Sequence, residues 1–97
     1  MLLSLFKISG HSMMPTLKPN DRVVVSSLPY FFKEPKVSDV VVVKDKKTGK
    51  MLVKRIVRIE NGKFSLEGDN KSDSLKIEPI ERKDILGRMI FRIKNNL

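Results

Sequence analysis

A chain of 97 residues with 40% apolar content has material for one small core, and its five glycines and five prolines are too few for a fibrous or low-complexity polymer. Twenty basic against eleven acidic side chains leave a formal charge of +9 and a pI near 10.1, and the lack of cysteine excludes disulfides, thiol nucleophiles and cysteine-bound metals. The basic residues are spread along the chain and aromatics are few, so a solvated basic surface is expected rather than a specific nucleic-acid site.

The first apolar stretch, Met1 to Phe6, is far short of the ~20 residues that cross a bilayer, and no basic segment precedes it as in a secretory signal. It is expected to begin a first strand over Leu5 to Ser9, with peripheral membrane contact through Leu2, Leu3, Leu5 and Phe6 as the other use of these side chains. The chain is accordingly expected to be soluble and cytoplasmic. Valine- and isoleucine-rich runs then recur between turn residues with no sustained helical period. They predict strands over Arg22 to Ser26, Asp39 to Lys44, Met51 to Ile59, Lys63 to Glu67 and Leu86 to Ile93. Asn61-Gly62 fits a two-residue hairpin of the primed type, because both residues accept positive φ. Asp45 to Lys50 fits a longer polar hairpin, and Glu78 to Ile85 fits one helical turn. The aromatic run Tyr30-Phe31-Phe32, bracketed by Pro29 and Pro35, is expected to pack over the sheet as a flap; the other reading is an exposed contact surface. No internal repeat is read. The expected fold is all-β, a small, partly open β-barrel-like domain over residues 1–97, with at most one short helical turn.

Two residues stand out chemically. Ser12 lies in Gly10-His11-Ser12-Met13-Met14-Pro15-Thr16-Leu17, and Lys54 lies inside the strand Leu52-Val53-Lys54-Arg55-Ile56-Val57. A serine hydroxyl is a poor nucleophile until a neighbour accepts its proton. His11, the single histidine, is adjacent to Ser12, and neighbours in an extended chain point to opposite sides, so it is read as a surface residue. A lysine can accept the proton if a low-dielectric site keeps its amine neutral. Lys54 is flanked at i±2 by Leu52 and Ile56, and Arg55 is flanked equally by Val53 and Val57, so alternation does not choose between them. Chemistry chooses Lys54, because a guanidinium does not deprotonate in a protein. Gly10 leaves room for a substrate chain, the backbone N–H of Ser12 is placed to meet an oxyanion, and Met13 and Met14 suit the lining of a pocket or the filling of a core. Gly68-Asp69-Asn70-Lys71-Ser72-Asp73-Ser74 is either a plain polar loop or a support whose Asp and Ser side chains orient the lysine.

Taken in order, these segments resemble the signal peptidase I family of serine endopeptidases. Ser12-Met13-Met14-Pro15-Thr16-Leu17 matches the nucleophile motif, Lys54-Arg55 the base motif, and Gly68-Asp69-Asn70 with Ser72-Asp73-Ser74 the third motif. Asn20-Asp21 and Ser38-Asp39 resemble the family's Gly-Asp strand openings with the glycine replaced, and Leu86-Gly87-Arg88-Met89 resembles its final strand. The resemblance implies the catalytic-core fold of that family, Ser12 as nucleophile and Lys54 as general base. It also implies an oxyanion and substrate-binding segment over Gly10, Ser12, Met13 and Met14, and support of the base by Ser72 and Asp73. Leu75 stands where the family places an arginine. No metal or organic cofactor is implied. In size the chain resembles a minimal soluble core, similar to nickel superoxide dismutase maturation proteases. The implied activity is removal of an N-terminal presequence or propeptide from a precursor protein. The alternative is a catalytically silent β-module that binds extended peptides or anionic surfaces.

Overall fold

The computed structural model describes residues 2–72 and 77–96. Its strands are β1 (Ser4–Lys7), β2 (Arg22–Ser26), β3 (Val40–Lys44), β4 (Met51–Glu60), β5 (Lys63–Glu67), β6 (Ile80–Glu81) and β7 (Ile85–Ile93). A four-residue helical turn, α1 (Pro29–Phe32), follows β2, and a 3-10 turn over Arg82–Asp84 precedes β7. The strands form one sheet in the order β1-β2-β7-β3-β4-β5-β6, antiparallel at every pairing and open at both edges. The last long strand is therefore inserted between β2 and β3, joining the N-terminal pair to the β3-β4-β5 meander.

The all-β expectation holds, and the reasons are local. At the Asn61-Gly62 turn both residues have positive φ, 52° and 74°, and Glu60 faces Lys63 across the hairpin. In the β3-β4 hairpin Asp45 accepts from the Lys47 N–H and the Thr48 hydroxyl, closing a polar loop that needs no core. The helical turn expected within Glu78 to Ile85 is the 3-10 turn at Arg82–Asp84, and the same span also supplies β6, with Ile80 opposite Phe64, because Ile80 has an apolar cluster to join. The helical content exceeds the expected single turn by α1, and there the flap expectation is corrected. Tyr30 packs inward, but Phe31 and Phe32 are 72% and 87% exposed, since a four-residue turn can aim few of its side chains at the sheet.

The core has two clusters on opposite faces. Ile8, Met13, Leu17, Val23, Val25, Val40 and Val42 form one, and Val41, Val43, Ile56, Phe64, Leu66 and Ile85 form the other. β3 feeds both by alternation, so its valines are all buried, as expected for a strand covered on both sides. Gly87 on β7 sits where a side chain has no room: an added Cβ would lie 2.8 Å from the Val25 side chain and 3.0 Å from the Ser26 carbonyl oxygen.

A local repeat that the sequence reading overlooked opens β2 and β3. In Lys18-Pro19-Asn20-Asp21, the Asp21 carboxylate accepts from the Lys18 N–H and the Asp21 N–H donates to the Lys18 carbonyl. Lys36-Val37-Ser38-Asp39 repeats both bonds, from Lys36 N–H to the Asp39 carboxylate and from Asp39 N–H to the Lys36 carbonyl. Asn20 and Ser38 take φ of 74° and 84°, the left-handed region that favours glycine. Each turn then exchanges two backbone bonds with one isoleucine, Ile8 for the first and Ile56 for the second. The parallel between KPNDRVVV and KVSDVVVV was the available signal.

Candidate active site

Residues 11–16 fold into a tight turn between β1 and β2, in which the Met14 N–H donates to the His11 carbonyl and the Leu17 N–H to that of Met13. Gly10 enters the turn with φ of 79°, which only a glycine adopts without strain, and space lies open beside its Cα. Met13 and Leu17 point down into the first core cluster, at 2% and 0% exposure. They pin the turn to the sheet and leave Ser12 and Met14 half-buried and His11 exposed above it. The His11 side chain is thus where the sequence reading put it, at the surface. Among the described residues the Ser12 hydroxyl makes no hydrogen bond.

Lys54 sits mid-strand on β4, opposite Val41, with Leu52 and Ile56 two residues to either side. All three neighbours belong to or pack against the second core cluster. Lys54 is 5% exposed, which makes it one of the few polar residues in the interior. Arg55, the next residue, projects from the other face of β4 and uses all three guanidinium nitrogens. Its Nε donates to Asp69 Oδ1 at 2.9 Å, Nη2 to Asp69 Oδ2 at 2.8 Å, and Nη1 to the Ser38 carbonyl at 2.7 Å.

The loop after β5 bridges β4 and the serine turn. Asp69, besides its fork with Arg55, accepts from the Thr16 hydroxyl at 2.6 Å. Asn70 donates its backbone N–H to the Ser12 carbonyl at 2.8 Å and its side-chain amide to the His11 carbonyl at 3.0 Å. Arg92 of β7 holds the Thr16 carbonyl from the other side. The Arg55 guanidinium is the main influence that keeps the Asp69 carboxyl below the usual carboxylate range, with Thr16 helping and partial burial opposing. The same bond raises Arg55 further. Within the segment expected to be either a plain polar loop or a support for the lysine, the Asp69 carboxylate is committed to Arg55 and to the serine turn. The signal for this was the arginine following Lys54 together with an aspartate in the third motif.

Ser72 donates its N–H and its hydroxyl to the Asn70 side-chain carbonyl, which holds the amide that grips the serine turn. Asp73, with Ser74 and Leu75, lies outside the described residues. Among the described residues no group of histidine, aspartate and glutamate side chains could hold a metal ion, and no helix is long and apolar enough to cross a membrane.

Residues 1–60, which carry both the serine turn and the lysine strand, match the family model for signal peptidase, peptidase S26. The chain belongs to that family. Over 89 residues it is 32% identical to the probable thylakoidal processing peptidase 2, chloroplastic, of Arabidopsis thaliana, covering 76% of this chain and 24% of that protein. Over 64 residues it is 33% identical to signal peptidase I U of Bacillus subtilis (strain 168), covering 66% of this chain and 34% of that protein. The chain therefore spans a quarter to a third of the length of these curated relatives. The third segment, Gly68-Asp69-Asn70, lies beyond the family match, yet it is the piece that hydrogen bonds to the Ser12 turn.

Proposed function

We propose that this signal peptidase family member is a serine endopeptidase whose nucleophile is Ser12 and whose general base is Lys54. The observation that carries the reading is the burial of Lys54 among apolar side chains of β4, on a strand linked through Arg55, Asp69 and Asn70 to the turn that presents Ser12. In the proposed reaction the neutral Lys54 amine takes the Ser12 proton as Oγ attacks the scissile carbonyl, and backbone N–H groups of the turn, with Gly10 leaving space, receive the oxyanion. Collapse of the tetrahedral intermediate passes the proton from Lys54 to the leaving amine and leaves an acyl-serine. Lys54 then deprotonates the water that releases it. Met14 and the open side of Gly10 line the approach, Met13 anchors it from below, and Ser72 with Asp73 supports the base side.

The substrate is proposed to be an extended presequence or propeptide of a precursor protein, cut after small side chains. The test is to expose the chain to an active-site-directed acylating reagent and read the adduct by mass spectrometry. A single adduct on Ser12, lost in Lys54→Met, is the expected result. Labelling of other serines, or undiminished labelling of Ser12 in Lys54→Met, would sink the dyad and favour a silent binding module.

A further inference from the structure

At the end of the sheet away from the β3-β4 hairpin, Lys7 of β1 faces Arg22 of β2, and Arg22 in turn faces Ile93 of β7. Directly opposed residues of an antiparallel pair share a face at short range, so two like charges there repel and weaken the pairing. These side chains line a cavity of about 410 Å³ together with Asn20, Lys94 and Asn95, and none of the lining residues is acidic. Lys7, Arg22 and Lys94 have no carboxylate partner among the described residues. The nearest anion, Asp21, is buried and occupied: it accepts the backbone N–H groups of Lys18 and Asn95, and those bonds, with Arg92 and Lys18 close by, keep its pKa low. Two residues along each strand, on the same face, Leu5, Val24 and Phe91 form an apolar row, with Leu5 and Phe91 each 56% exposed.

We propose that this cavity is a binding site for a phosphate group, held by Lys7, Arg22 and Lys94 with the Asn20 amide as a further donor. A guanidinium flanked by ammonium groups matches the charge and fork geometry of phosphate, and a bound anion cancels the repulsion built into the Lys7–Arg22 pairing. The apolar row beside the cavity fits the phosphate of a lipid headgroup, whose chains would lie along Leu5 and Phe91; free phosphate offers the same chemistry without them. The site stands apart from the serine turn and does not rest on the peptidase reading.

The test uses the full chain, isotope-labelled, titrated with sodium phosphate at constant ionic strength, and in parallel sedimented with phosphatidylcholine vesicles with and without phosphatidylglycerol. Saturable amide shifts centred on Lys7, Arg22 and Lys94 are expected. K7Q/R22Q should weaken phosphate binding about tenfold, while K33Q/K50Q, which removes as much charge elsewhere, should change it less than about twofold. Lys94→Gln, beyond the last strand, is a second variant with no strand pairing at stake, and amide dispersion reports folding in the same spectra. Retention that needs phosphatidylglycerol and is lost only in K7Q/R22Q identifies a lipid headgroup; phosphate binding with vesicle retention insensitive to K7Q/R22Q identifies the free ion. Equal losses in both double variants, shifts scattered over all basic residues, or no response in either arm overturn the site.

Discussion

Arg55 and Asp69 meet in a two-bond fork, at 2.9 and 2.8 Å, while Lys54, the residue preceding Arg55 on the same strand, is buried. Adjacent basic residues thus have different places: one fastens the third motif to the sheet, and the other is buried on the opposite face of β4.

That fork makes a prediction about acid. Asp69 is held below the usual carboxylate range by Arg55, so its contribution to stability is full above the ordinary value of 3.8 and is lost as pH falls through the lowered value. Asp69→Asn should cost about 1–2 kcal/mol at pH 7. Denaturant melts should show the gap to wild type narrowing as the pH is taken below 4. A gap of constant size would mean that the fork carries no charge-dependent stability.

Turnover should separate the polar residues around the serine turn. Ser12→Ala and Lys54→Met should each abolish peptide cleavage, since one lacks the nucleophile and the other the base, with circular dichroism spectra like those of wild type. His11→Ala should retain cleavage, because the exposed imidazole is replaced while the His11 carbonyl that holds Asn70 is kept. Loss of activity in His11→Ala would bring the imidazole back as a base.

Tyr30 is the single tyrosine of the chain, so its absorbance titration reads one phenol. Burial first, then its 2.7 Å hydrogen bond to the Asp39 carboxylate, push its pKa well above the ordinary phenol value. A raised folded value means the group stabilises the fold fully below pH 10 and ceases to as pH climbs through the folded value. The phenol should ionise far later in the native protein than in denaturant, and Tyr30→Phe should flatten the alkaline loss of stability. Native and denatured titrations that coincide would contradict the packing of α1.

Gaining or losing a glycine gives opposite signs at three other positions. Ser38→Gly should raise stability by about 1 kcal/mol, because a left-handed φ of 84° strains serine and not glycine. Asn20→Gly should gain less, as asparagine tolerates that region. Gly87→Ala should lower stability by about 1–3 kcal/mol, since the new methyl meets the Ser26 backbone and Val25. Thermal melts of the three variants test all three signs.

The strands were legible because valine and isoleucine runs and the Asn61-Gly62 turn act locally, and β2 and β5 have the expected bounds. Family membership was legible in three short motifs. Less legible was whatever depends on distant partners. The exposure of Phe31 and Phe32 follows from how little sheet lies under a four-residue turn, and β6 from the presence of Phe64 to pair with Ile80. Nothing in the alternation of β4 separates Lys54 from Arg55, and the sequence does not show that Asp69 forks onto Arg55.

The run of four valines in β3 carries no phase information. In most half-buried strands a slip of one residue throws polar groups into the core and is rejected for that reason, but here it would only exchange one valine for another. Alignment must come from outside the run, and the two bonds between Ile56 and the Ser38-Asp39 turn, backed by Arg55 on the Ser38 carbonyl, provide it. They lock Val41 against Lys54. The depth at which that amine sits is therefore decided at the mouth of the strand, by a serine in a glycine's conformation.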